Sequence, residues 1–144
     1  MNKKIKNTEL VWNPSKGIGP FQIGVEIKMY INEYNLELVK DEMKEGDEWE
    51  TYRIKGRDDI RIYTEDSKVV SILCDEYCFY KEKNLIGITI EQLINVLNTK
   101  PDDEVDEIDL DSGLHYVYDF DDYSCQVWVK DNKTESFTCN KYID

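Results

Sequence analysis

The period of hydrophobic positions changes repeatedly along the chain, from about 3.6 to 2 and back. Ile27, Tyr30, Ile31 and Tyr34 fall at i, i+3, i+4 and i+7, and Ile90, Leu93, Ile94 and Leu97 repeat that spacing. Such spacing lines side chains along one face of an α-helix. Thr89 and Gln92 make a capping-box pattern, in which a hydroxyl oxygen and an amide oxygen each accept a backbone N–H otherwise without a partner at the helix start. Gly24 and Gly87 let the chain turn into the two helices. After each helix the period falls to two. Segments 49–55, 60–64 and 68–74 are rich in β-branched and aromatic residues, with Asp66-Ser67 as a tight turn, and 36–40 adds a strand before a charged turn over 41–47. In the second half, 104–109, 114–118, 125–130 and 133–139 take the same course, with Ser112-Gly113 and Asp131-Asn132 as turns.

The two halves also align. Residues 24–32 lie on 87–95 at an offset of 63, and 60–74 lie on 125–139 at an offset of 65. Asp66/Asp131, Lys68/Lys133, Ser71/Ser136 and Cys74/Cys139 are then identical, and Tyr63 stands opposite Trp128. The chain reads as one domain, 1–144, built from a duplicated unit, the first over about 17–80 and the second over about 81–144. The expected class is α+β: two tandem helix-plus-four-strand antiparallel units forming one curved sheet with the helices on one face. The other face is left uncovered, a broad and partly concave surface suited to binding protein.

Ten tyrosines, four phenylalanines and three tryptophans in 144 residues supply a core that needs no staples to fold. The net charge of −13 has the wrong sign for phosphate or anionic lipid, which argues against direct nucleic-acid and membrane binding. No stretch approaches the roughly 20 apolar residues of a membrane span. The opening Met1–Asn7 is basic with no hydrophobic segment after it, so a cytoplasmic chain is expected. Cys74, Cys78, Cys125 and Cys139 then read as reduced, semi-buried thiols, and the Asn132-Lys133-Thr134 sequon has no role.

Little in the sequence carries catalytic chemistry. His115, the single histidine, stands beside Tyr116 and Tyr118 with no Ser-His-Asp or Cys-His motif around it, and reads as a solvent-facing strand residue. Cys74-x-x-x-Cys78 with Cys125 and Cys139 lacks the paired CxxC knuckles of a zinc site. Gly17-Ile18-Gly19-Pro20 lacks the Lys-Ser/Thr of a phosphate loop. A calcium loop starting at Asp109 would place Gly113 and Phe120 where oxygen ligands are needed. Glycosidase-like carboxylate pairs stay open, because sequence spacing does not fix their pairing in space. No catalytic residue, cofactor or metal is assigned, and the chain is read as a non-enzyme.

The tract from Pro101 to Asp122 holds ten acids and no Lys or Arg. Such a run serves either as a solvated face or as an electrostatic footprint for a basic partner. Interleaved Tyr116, Tyr118, Phe120 and Tyr123 favour the footprint, since aromatics give contact area while carboxylates steer encounter. A nuclease must be basic where it grips phosphate, so this surface complements one. The candidate partner-binding residues are Asp109, Asp111, Tyr116, Tyr118, Asp119, Asp121, Asp122, Tyr123 and Trp128. Trp128 and Tyr63 are equally readable as core.

The helix opening Gly87-Ile88-Thr89-Ile90-Glu91-Gln92-Leu93 and the Asp-x-Lys-x-x-Ser hairpins resemble the tandem repeat of β-lactamase-inhibitor-like proteins and the related SmpA-type lipoprotein domain, over about residues 17–139. Glu26 replaces the hydroxyl residue in the first unit. An acidic chain with the opening Asn13–Phe21 also resembles immunity proteins of bacterial toxin systems, including contact-dependent growth inhibition. That resemblance implies a protein that binds one cognate basic toxin domain, of nuclease type, and occludes its active or substrate-binding surface. The alternatives are an SmpA-like structural or assembly module and a small-ligand-binding protein using the open sheet face.

Overall fold

The computed structural model describes residues 3–39, 49–102 and 104–140; the expected turn at 41–47 and Asp103 of the acidic tract lie outside them. Three short strands come first, β1 (Trp12–Asn13), β2 (Gly17–Ile18) and β3 (Phe21–Gln22), then the helix α1 (Lys28–Ile31). Four strands follow, β4 (Leu36–Leu38), β5 (Trp49–Ile54), β6 (Ile60–Glu65) and β7 (Lys68–Cys74), then a hairpin of β8 (Phe79–Tyr80) and β9 (Lys83–Asn84). The helix α2 (Ile90–Leu97) leads into β10 (Val105–Leu110), β11 (Gly113–Phe120), β12 (Cys125–Lys130) and β13 (Lys133–Asn140). One antiparallel sheet takes eight of these strands in the order β10-β11-β12-β13-β7-β6-β5-β4, and β1–β3 form a small sheet of their own.

This architecture overturns the expected α+β class. The protein is mostly β, and the helix-plus-four-strand unit is not repeated: α2 spans eight residues, whereas α1 spans four, a single turn. The reason lies in the caps and in what the apolar residues pack against. Thr89 Oγ1 accepts the Gln92 N–H at 3.1 Å while Gln92 Oε1 accepts the Thr89 N–H at 3.0 Å, so the start of α2 is satisfied. Ile27 caps α1 with no side-chain acceptor, and Asn35, in the left-handed region at φ 55°, closes the segment. The spacing of Tyr30 and Tyr34 serves an aromatic cluster instead, both rings lying edge-on to Phe21 at 5.2 and 5.3 Å. The likeness between the two halves lies in the strands. Hairpins β6–β7 and β12–β13 turn through Asp66-Ser67 and Asp131-Asn132, all at positive φ, the conformation a two-residue hairpin of matching twist requires. Each hairpin also shifts register once, between Tyr63 and Thr64 and between Trp128 and Val129.

Alternation divides the large sheet into two faces. Ile60 and Ile62 of β6, Cys125, Val127 and Val129 of β12 and Phe137 of β13 are buried on one face. That face is packed with Leu93 and Leu97 of α2 and with Leu10, Trp12, Ile18 and Phe21 of the N-terminal segment. Trp12, 1% exposed, lies at the centre, its ring 4.7 Å from Phe137, 4.9 Å from Tyr80 and 5.6 Å from Tyr123. Gly17 is required here: a Cβ would fall 2.0 Å from the Phe21 carbonyl oxygen, so only glycine lets β2 and β3 approach.

All four cysteines are free thiols and fully buried, where the sequence suggested semi-burial. Among the described residues no group of three or more His, Cys, Asp or Glu lies close enough to hold a metal ion, and no helix is long and apolar enough to cross a membrane. Burial pushes the Cys139 thiol from 9.0 up to about 11, with Trp12 pulling the other way, and burial raises Cys74, Cys78 and Cys125 as well. A raised folded pKa gives stability that is complete below the unfolded value and lost as pH rises between the two. The denaturant midpoint should therefore fall from pH 9 towards 11, less steeply in Cys139→Ala. At pH 8 a thiol reagent should label the native protein slowly and all four cysteines at once after unfolding.

Candidate functional site

Successive side chains on a strand point to opposite faces. The register of β11 and β12 pairs His115 with Lys130, Val117 with Trp128 and Asp119 with Gln126, so these six share the face away from the core. Tyr116 and Tyr118 stand opposite Val129 and Val127, on the packed face. Across β12–β13, Trp128 faces Ser136, and the register then slips so that Val129 stands opposite Thr134. Glu135 is the extra residue. A bulge re-aims the side chain it inserts: Thr134 stays buried, while Glu135 and Ser136 both turn to the uncovered face. The matching slip in β6–β7 sets Tyr63 opposite Ser71, and both line the same surface.

These residues surround a groove of about 820 Å³. It straddles the β13–β7 pair, where the Ser71 hydroxyl donates to Asn140 Oδ1 at 2.8 Å. Its large rings are Trp49, Tyr63 and Trp128. The charged residues lining it, among those described, are Asp75, Glu76 and Glu135, with no Lys or Arg. Both indoles are held in place through their N–H groups. Trp49 Nε1 donates to Glu65 Oε2 at 2.6 Å, and Trp128 Nε1 donates to Gln126 Oε1 at 3.1 Å. The Gln126 amide in turn donates to Asp119 Oδ1 at 3.0 Å. A ring already fixed loses little entropy when something stacks on it.

His115 is the largest departure from the sequence reading. It lies on the uncovered face as a strand residue, but is only 3% exposed. Its Nδ1 is 3.0 Å from the Gly113 carbonyl oxygen, its Nε2 is 2.8 Å from Glu135 Oε2, and its ring stands edge-on to Trp128 at 6.0 Å. A carbonyl oxygen only accepts, so Nδ1 carries a hydrogen. The second contact then needs a further proton, on Nε2 or on the carboxyl. The imidazole thus ties β11 to the bulge of β13.

No protein family matches the chain, and no curated protein matches it. Among solved structures it is similar to a cysteine-rich secretory protein from Staphylococcus aureus subsp. aureus Mu50, at 16% identity and a TM-score of 0.49, over 87% of this chain and 46% of that one. The chain spans less than half the length of that protein, and a likeness at this level carries no argument about fold or function.

The residues singled out in the sequence are dispersed. Trp128 lines the groove, and Asp119 reaches it through Gln126. Tyr123 is a structural link, its hydroxyl donating to the Leu97 carbonyl at 2.9 Å and its ring lying against Trp12. Asp109 and Asp111 are exposed on β10 and the turn after it, and Asp122 is exposed after β11. Asp119 and Asp121 share a separate shallow recess with Asp102 and Glu104. The groove residues that sequence reasoning missed are His115, Trp49 and Glu135. For Trp49 the equivalence of Tyr63 with Trp128 was a usable signal, since it marks the face on which Trp49 also lies. In the recess, the hydrogen bond that protonated Asp121 donates to the Asp102 carboxylate, together with the Asp102 charge, raises Asp121 above the ordinary aspartate range. On acidification Asp121 should therefore protonate before isolated aspartates, and in Asp102→Asn it should return towards them, as followed by carboxyl chemical shifts.

Proposed function

We propose that this protein is a non-enzymatic, cytoplasmic protein-binding domain that receives a cationic partner in the groove. The partner is a basic toxin domain of nuclease type, which the protein neutralises as an immunity protein by occluding its active or substrate-binding surface. One observation carries this reading: the uncovered sheet face sets fixed aromatic rings beside three carboxylates, with no cation among the groove's described lining residues. Rings supply buried contact area, and carboxylates pair with Arg or Lys and draw them in. A surface that grips phosphate is complementary to this one in sign. Both ring nitrogens of His115 are committed to Gly113 and Glu135, which supports binding over acid–base catalysis. The acids of the 101–122 tract extend the negative potential beyond the groove and speed encounter. A groove of about 820 Å³ also lies within the range of small-ligand sites, and this favours a ligand-binding protein as the second reading.

Co-expression with a toxin domain encoded beside this gene tests the proposal. The native protein should restore growth. Trp128→Ala and Glu135→Lys should each weaken the purified complex by roughly thirtyfold or more, as expected for residues central to an interface. Charge reversal at Asp121 and Asp122 should chiefly slow association, and the native on-rate should fall roughly tenfold or more from low to high salt. Full protection by both groove variants, or an on-rate indifferent to salt, would overturn it.

A further inference from the structure

Resting on that reading, we propose that the groove takes an arginine side chain of the partner, stacked on Trp128 and paired with the Glu135 carboxylate that His115 holds in place.

The groove is specific in what it offers. Glu135 is about half exposed (48%), so its carboxylate is open to a ligand, while His115 behind it is sealed at 3%. Trp128 is anchored at its N–H end by Gln126, and His115 stands against it edge-on, so ring and carboxylate sit around the same imidazole. A guanidinium matches this pair. It is planar enough to stack on an indole, and its forked N–H groups fit a carboxylate with two parallel hydrogen bonds. An ammonium is a hydrated point charge that offers neither the plane nor the fork.

His115 fixes the carboxylate for that pairing. Its Nε2 contacts Glu135 Oε2 at 2.8 Å while its Nδ1 contacts the Gly113 carbonyl oxygen, so the acid is tied to β11 as well as to its own strand. A carboxylate has further acceptor positions on its two oxygens, so it can receive a guanidinium without giving up the imidazole. A group already held loses little entropy when it pairs.

The probes are Nα-acetyl-arginine amide, the corresponding capped lysine, and capped citrulline, which keeps the shape of arginine without its charge. They are titrated into the native protein by NMR, with the Trp128 indole N–H and the His115 ring as reporters. Expected are shifts at both reporters, arginine binding about tenfold more tightly than lysine, and no shift with citrulline. Glu135→Gln, half exposed and so tolerated by the fold, should weaken arginine about tenfold, while His115→Gln, which unties the carboxylate, should weaken it less. Equal binding of arginine and lysine, or arginine binding unaltered by Glu135→Gln, would overturn the proposal. If a toxin domain docks on the groove while capped arginine does not perturb Trp128, the arginine subsite falls and the immunity reading stands. If arginine behaves as described but no toxin domain binds, the immunity reading falls and the subsite remains.

Discussion

The pairing of β13 with β7 is the constraint on which the rest of the structure depends. Four register pairs, from Phe137 opposite Cys74 to Asn140 opposite Ser71, join the strands of the two halves of the sequence into one sheet. The register is strongly specified. Phe137, Cys139, Ile72 and Cys74 are all at 0% exposure, and a slip of one residue would exchange them for Ser71, Leu73, Ser136 and Thr138 on the core face. Trp12 packs on Phe137 from below the sheet, and the hydrogen bond from Ser71 to Asn140 closes the same junction from above. The core and the groove are thus two sides of one set of strand contacts.

That geometry explains why the chemistry collects where it does. Strands from one half bring Tyr63, Ser71 and Leu73 to the groove, and strands from the other bring His115, Trp128 and Ser136. The bulge in β13 then adds an acid to a face that strict alternation would have denied it. With Glu135 in place, a buried histidine acquires a partner, and a hydrogen-bonded chain runs from Asp119 through Gln126 to Trp128 and, by ring contact, to His115 and Glu135. The acidic tract, by contrast, is divided by the pleat. Asp119 points to the groove side, whereas Tyr118 beside it packs towards the core.

The strands were legible in the sequence because half-buried strands must alternate: the patterns at Ile60–Glu65 and Cys125–Lys130 match the observed faces. The start of α2 was legible because Thr89 and Gln92 can act only as a reciprocal cap. The first helix departs from its sequence pattern for a physical reason. Apolar residues three and four apart also suit a single turn feeding an aromatic cluster, and with no cap at Ile27 nothing prolongs it. The candidate site was legible only in part. Trp128 could be singled out as a ring on a strand, but its face depends on register. Glu135 carries no local signal, because a bulge is decided by the pairing of two strands rather than by either one. His115 has no motif beside it in the sequence, and its partner Glu135 lies twenty residues away across β12.

The same junction has a temporal side. Hairpins such as β6–β7 and β12–β13 close through two-residue turns, whereas β7 and β13 are about sixty residues apart along the chain. Local contacts form quickly and distant ones late. During synthesis the first half of the sheet can assemble while the outer edge of β7, with Val69, Ile72 and Leu73, still waits for residues 133–140 to leave the ribosome. An unpaired apolar strand is a template for foreign strands. The hazard of misassembly is therefore concentrated at the middle of the finished sheet, in an interval that ends only when its last strand is delivered.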